Sequence, residues 1–171
     1  MRMIRFVLLP LVMAAVAVVV GNRPAASPED GVGLQIIRYD DLADRIQNLA
    51  GRVVVVDFWA DYCEPCKREF PKLVELHRNY AREGLAAVSV SVDDPTDDEA
   101  RDRAKKFLIA RKAEFSNYLL NEKPAVWQAK LKIDGPPCVF VFNRKGELLK
   151  KYHDDVDYGE IERLVKNALK Q

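Results

Sequence analysis

Val53-Val54-Val55-Val56-Asp57-Phe58-Trp59-Ala60-Asp61-Tyr62-Cys63-Glu64-Pro65-Cys66-Lys67 is the stretch that decides the fold. Apart from Asp57, its first seven residues are β-branched or aromatic. Alternation would mark a strand with one wet face. A continuous apolar run of this length predicts a strand buried on both faces, as in a parallel sheet. Pro65 limits where the following helix can start. Cys63 and Cys66 therefore fall where a buried strand gives way to a helix. Unpaired N–H groups and a partial positive charge at such a helix end stabilise a thiolate. The thiolate is the form that attacks disulfides. The same spacing also serves zinc, so taken alone the pair is either a metal knuckle or a redox pair.

Upstream, Leu34 to Arg38 is a short strand candidate. Asp40 or Asp41 is placed to cap a helix carrying Leu42, Ile46 and Leu49, with Gly51 just past its end. Downstream, Cys63 to Arg82 is helical, with Phe70, Leu73, Leu76 and Tyr80 on one face and Pro71 expected to kink it. Leu85 to Val92 is another buried strand. Asp93 to Thr96 form a turn, and residues 97–112 a charged helix with Ala100, Ala104, Phe107 and Leu108 inward. Phe115 to Leu120 is a strand and Pro124 to Leu131 a short helix. Gly135-Pro136-Pro137 is a stiff stop before the strand Cys138 to Phe142. Asn143 to Gly146 turn the chain into a hairpin, and Tyr158 to Lys170 form a last amphipathic helix. This alternation predicts an α/β fold, a central mixed β-sheet with helices on both faces.

The N-terminal residues differ in kind. Met1 to Arg5 are short and positive, and Phe6 to Val20 are 15 residues without a polar side chain. Small residues and Pro24 follow. This is the pattern of an export signal, short for a spanning helix, which needs about 20 apolar residues. Residues 1–26 are expected to be a cleaved signal or a retained anchor, with 27–33 as linker and 34–171 as the folded domain. Arg2 and Arg5 would leave the body outside the cytoplasm. Without residues 1–26 the body carries 24 basic and 26 acidic residues, which gives no electrostatic case for nucleic acid. Three cysteines make an odd number in a compartment where disulfides persist. Two cysteines three apart cannot staple distant parts of a fold, which favours a redox pair over a structural bridge.

These motifs together resemble the thioredoxin superfamily over about residues 34–171. Residues 56–67 resemble its active-site strand, turn and helix. Gly135-Pro136-Pro137-Cys138-Val139-Phe140-Val141-Phe142 resembles its cis-proline strand, and Gly146-Glu147-Leu148 the following hairpin. The 71 residues from Cys66 to Pro137 exceed the gap in plain thioredoxins. The extra stretch, roughly Pro95 to Gln128, reads as an added helix and strand before the cis-proline strand. That insertion, the export segment and the run Cys63 to Pro71 are similar to the TlpA/ResA group. Those are tethered or secreted thiol–disulfide oxidoreductases, several of which serve cytochrome c maturation. The chain departs from that group in Asp57, where Asn is common, in Tyr62, where Trp is usual, and in Pro136.

The resemblance implies roles residue by residue. Cys63, exposed at the helix tip, attacks, and the more buried Cys66 resolves the mixed disulfide. Asp57, on a buried strand, suits a proton acceptor for Cys66, against the plainer role of a satisfied buried polar group. Glu69, three residues past Cys66, is either an acid of the site or an exposed helix residue. Trp59, Tyr62, Pro65, Pro136 and Pro137 form the surface that meets the substrate. Glu64, Asp61 and Glu69 place negative charge near the thiolate, which predicts a reducing couple. Cys138 is a small buried strand residue or a third reactive thiol. Trp127 reads as core, and His77 as a packed or solvated helix residue.

The expected protein is thus an extracytoplasmic, monomeric thiol–disulfide oxidoreductase. It needs no cofactor or metal, acts on protein thiols, and takes electrons from a membrane or extracytoplasmic thiol donor. A copper chaperone on the same scaffold is the first alternative, but the cysteine spacing is short for one and His153 comes late in the chain. A binding domain without catalysis is the second, and the intact Cys63, Cys66 and Pro137 argue against it.

Overall fold

The computed structural model describes residues 32–171, so residues 1–26, expected to be an export signal or anchor, and most of the expected linker 27–33 lie outside the described residues. The chain order is β1 (Gln35–Ile37), α1 (Tyr39–Gln47), β2 (Val53–Trp59), α2 (Glu64–Tyr80), β3 (Leu85–Ser91), α3 (Asp98–Arg111), β4 (Ser116–Leu120), α4 (Pro124–Leu131), β5 (Cys138–Phe142), β6 (Leu148–His153) and α5 (Tyr158–Leu169). The six strands form one mixed sheet in the order β1-β4-β3-β2-β5-β6. β1, β4, β3 and β2 run parallel, while β5 and β6 run antiparallel to their neighbours. The added helix and strand are α3 and β4, and β4 enters the sheet between β3 and the edge strand β1.

β2 and β3 are central, and every residue in both is buried. That is why their sequences read as continuous runs rather than alternations. Successive β2 side chains still point to opposite faces. Phe58 meets Phe140 of β5. It also lines, with Val54, Leu42, Ile46 and Leu131, a cavity of about 220 Å³ beneath α1. On the other face Trp59 meets Phe70 of α2 and Phe107 of α3, with ring centroids 5.4 and 5.0 Å away. α5 also packs on this face, against α2 and β2. Burying Phe58, Trp59 and Phe70 in full contributes roughly 1.5–3 kcal/mol each from area removed from water.

Two helix starts show how local signals and tertiary contacts divide the work. α3 begins as its sequence indicates, with the Asp97 carboxylate accepting the Ala100 N–H at 3.0 Å. α1 does not. It starts at Tyr39, so Asp40 and Asp41 lie in its first turn and cap nothing. Glu122, 83 residues away, accepts the Tyr39 N–H instead. α1 also ends at Gln47, four residues before Gly51. α2 runs through Pro71 to Tyr80 and passes through a short 3-10 turn to Gly84. Gly84 has φ 106°, and a Cβ there would meet Arg144 Nη1 at 2.7 Å. Arg144 gathers that end of the molecule, donating to the carbonyls of Gly51, Glu83 and Leu169.

Candidate active site

The site forms where β2 leaves the sheet. The Cys63 N–H bonds back to the Ala60 carbonyl at 3.0 Å, which closes a tight turn between strand and helix. Cys63 is the N-cap of α2 in extended backbone, φ −90° and ψ 92°, and its sulfur accepts the Cys66 N–H at 3.3 Å. Pro65 occupies the first turn, where a missing N–H removes no helical bond. Cys63 and Cys66 are joined as a disulfide. The pair is bonded to itself, which is the form a redox pair takes when oxidised.

The structure corrects the expected exposure of Cys63. In the disulfide it is 6% exposed and Cys66 3%, so both sulfurs are sheltered. Tyr62 beside them is 68% exposed. It offers the apolar surface that the sulfurs do not. The Pro136–Pro137 bond is cis. Trp59 is a second correction. It was expected to meet the substrate, but it is fully buried between Phe70 and Phe107, where nothing docking at the surface can touch it. One of those two rings, Phe107, comes from α3 of the insertion.

The charges around the disulfide are paired. Glu64 lies 2.8 Å from Lys67. Asp61 lies 2.7 Å from Arg103 on α3 and 3.8 Å from Lys67. Glu69 is half-buried and pairs with Lys72. The three acids expected to act as bare negative charges near the thiolate are each offset by a cation. Glu64 keeps the Lys67 ammonium charged by raising its pKa. The electrostatic case for a reducing couple built on Glu64 is weaker for it.

Two buried carboxyls sit below this surface. Asp57 is 4% exposed, and burial raises its pKa from 3.8 to about 7, against the opposing effect of a hydrogen bond. That bond comes from Tyr158, whose hydroxyl donates to Oδ2 at 2.7 Å. Asp93 is equally buried. Its carboxylate accepts the Asp61 N–H on both oxygens, at 3.1 and 3.0 Å, and the Ser91 hydroxyl at 2.7 Å. Burial raises its pKa too. Asp93 therefore ties the loop before Cys63 to the end of β3.

Tyr158, Asp93 and Arg103 were not singled out from the sequence. Asp93 carried a signal, an acid directly after a buried strand adjacent to β2. Tyr158 and Arg103 carried none, because their partners lie 101 and 42 residues away.

Cys138 is free and fully buried. Burial pushes its thiol up to about 12, with Asp57 adding to the rise. A thiol in that state is inert at neutral pH. Alkylation of the native, reduced protein is expected to label Cys63 and spare Cys138. Labelling of both at similar rates would overturn that assignment. Trp127 is core, and His77 packs edge-on against Phe115. His153 lies by the cis-proline loop, with Nε2 2.8 Å from Asp134 and 3.1 Å from the Gly135 carbonyl.

Comparison with known proteins agrees with this architecture. Residues 51–148 match a family model described as thioredoxin-like. The thiol-disulfide oxidoreductase ResA of Oceanobacillus iheyensis is 32% identical over 96 residues, covering 51% of this chain and 50% of the relative. ResA of Bacillus subtilis is 25% identical over 105 residues, covering 61% and 55%. The chain thus spans about half the length of the curated relatives it matches. Among solved structures, a candidate thiol:disulfide interchange protein DsbE of Chlorobium tepidum superposes with a TM-score of 0.59 at 29% identity, over 71% of this chain and 83% of that one.

Proposed function

We propose, because the chain belongs to the thioredoxin-like family, that it exchanges a Cys63–Cys66 dithiol and disulfide with protein substrates, in the reducing direction and outside the cytoplasm. The observation that carries this reading is the Cys63–Cys66 disulfide at the N-cap of α2. The N-cap position gives the leading sulfur a hydrogen-bond donor and the positive end of the helix, both of which favour thiolate. Tyr62, Pro65, Pro136 and Pro137 form the docking surface around it.

The reaction balances without a cofactor. The Cys63 thiolate attacks one substrate sulfur, forming a mixed disulfide and releasing the other as thiolate. Cys66 then loses its proton to Asp57 and attacks Cys63 Sγ. The Cys63–Cys66 bond forms, the second substrate sulfur leaves, and two electrons have passed to the substrate. Asp57 fits the resolving step, because a carboxyl near pKa 7 accepts a proton there and returns it when the dithiol is restored. A thiol donor in the membrane or outside it would restore the dithiol. The export-like residues 1–26 support the location and an N-terminal tether. The resemblance of the run Cys63 to Pro71 and the inserted stretch to the TlpA/ResA group supports disulfides of proteins maturing there, apocytochromes c among them, as substrates.

Cys66→Ser freezes the mixed disulfide on Cys63. Trapping in the native compartment is expected to capture proteins with exposed cysteine pairs, and recovery of no disulfide-linked protein would sink the reading. The couple is expected near about −270 mV, like thioredoxin, and a potential above about −200 mV would reverse the proposed direction.

A further inference from the structure

We infer that Tyr158 is a positioning residue of the exchange reaction: its hydroxyl holds the Asp57 carboxylate and sets how readily that group takes the resolving proton. The inference rests on the reading of Asp57 as proton acceptor. Tyr158 is the first residue of α5 and is 4% exposed. It is fixed there from both sides. The Asp157 carboxylate caps the helix, accepting the N–H groups of Gly159 and Glu160 at 2.8 and 3.2 Å. Ile161 and Val165 on the following turns are fully buried and anchor the helix to the core.

Among the described residues no other hydrogen bond and no ion pair reaches the Asp57 carboxylate. Its neighbour on β3 is Ser89, and that hydroxyl donates to Asn117 at 2.8 Å instead. The other neighbouring strand presents Val139, which has no polar side chain. The sheet thus supplies Asp57 with neither a cation nor a donor, and α5 supplies a neutral phenol. The distinction decides the chemistry. A cation in contact would hold the carboxyl ionised throughout the neutral range. A phenol hydroxyl accompanies the carboxyl in either protonation state, since it donates to a carboxylate oxygen or to the carbonyl of the acid. It therefore steadies the group without locking it ionised, and a proton can be taken when Cys66 attacks and returned when the cycle resets. Tyr158 keeps its own proton, because burial and the Asp57 charge raise its pKa well above the ordinary range. The Glu69 charge on α2 adds a little to that rise, and α5 packs against α2, the helix that carries Cys66.

The test is Tyr158→Phe, which keeps the ring and deletes the donor. Two readouts are taken: the pH profile of single-turnover insulin reduction by pre-reduced protein, and the 13C carboxyl titration of Asp57 in the oxidised protein. Removing a hydrogen bond to a charged group is expected to raise the Asp57 midpoint by about one pH unit. Turnover then falls about fivefold at pH 7 and recovers at alkaline pH, as a tenfold change in proton affinity requires. A carboxyl midpoint and rate limb that stay in place in the variant would reduce Tyr158 to packing and overturn the inference. If instead the midpoint moves while the rate profile does not, and Asp57→Asn also leaves that profile unchanged, the proton-acceptor reading has failed and Tyr158 with it.

Discussion

Replacing Cys63 by Ser is expected to cut disulfide reduction by roughly a thousandfold or more, the scale on which removal of a covalent nucleophile acts. The hydroxyl cannot supply an anion at neutral pH, and the helix end that stabilises a thiolate has no comparable form to stabilise. The loss should not come from unfolding. Cys63 caps α2 through its sulfur, and Ser is among the best N-cap residues, so the Cys66 N–H keeps an acceptor. The disulfide joins residues only three apart, so losing it frees little entropy in the unfolded chain. Cys66→Ser separates the two sulfurs. It should still form the mixed disulfide in the first step and stall there. A Cys63→Ser protein that still reduces insulin, or a Cys66→Ser protein that turns over, would exchange the assigned roles.

The parts of the fold that were legible are those governed by local chemistry. The run from Val53 to Trp59 is β-branched and apolar, so it forms the central strand its pattern demands. Asp97 caps α3, and Asn143 to Gly146 turn the β5–β6 hairpin with the Gly146 N–H on the Asn143 carbonyl. The gap between Cys66 and Pro137 foretold α3 and β4. What could not be foretold depends on what those inserted elements touch. Phe107 of α3 closes over Trp59 and removes it from the surface. Arg103, one turn earlier, neutralises Asp61. Lys67 was visible beside Glu64 in sequence, yet only the geometry shows that it pairs with that acid rather than with solvent. Asp57 was recognised from its place in the strand, but its donor comes from the far end of the chain, and no periodicity announces a contact across 101 residues.

Asp57→Asn is expected to make the oxidised protein more stable and the reduced protein slower. Asn keeps the size of the side chain and an oxygen to accept the Tyr158 hydroxyl, so the contact at 2.7 Å survives. It cannot ionise. In the folded protein the Asp57 pKa is raised from 3.8 to about 7 by burial, while in the unfolded chain it stays near 3.8. Below about pH 4 the carboxyl is protonated in both states, and the parent and the variant should be equally stable. As the pH rises from there, the unfolded carboxyl ionises first and stability is lost until the folded group also ionises near pH 7. Above that the penalty is complete, and the displacement corresponds to about 4 kcal/mol. Denaturant midpoints of the variant should therefore exceed those of the parent at pH 8 and converge with them at pH 4. The rate moves the other way. Losing a positioned proton acceptor slows the resolving step by about a hundredfold, the lower end of what general base catalysis contributes. A buried, destabilising carboxylate that also accelerates turnover is a group held in place for its chemistry. Equal midpoints at pH 8 would show that Asp57 titrates as an ordinary carboxyl, and unchanged turnover would show that Cys66 gives its proton elsewhere.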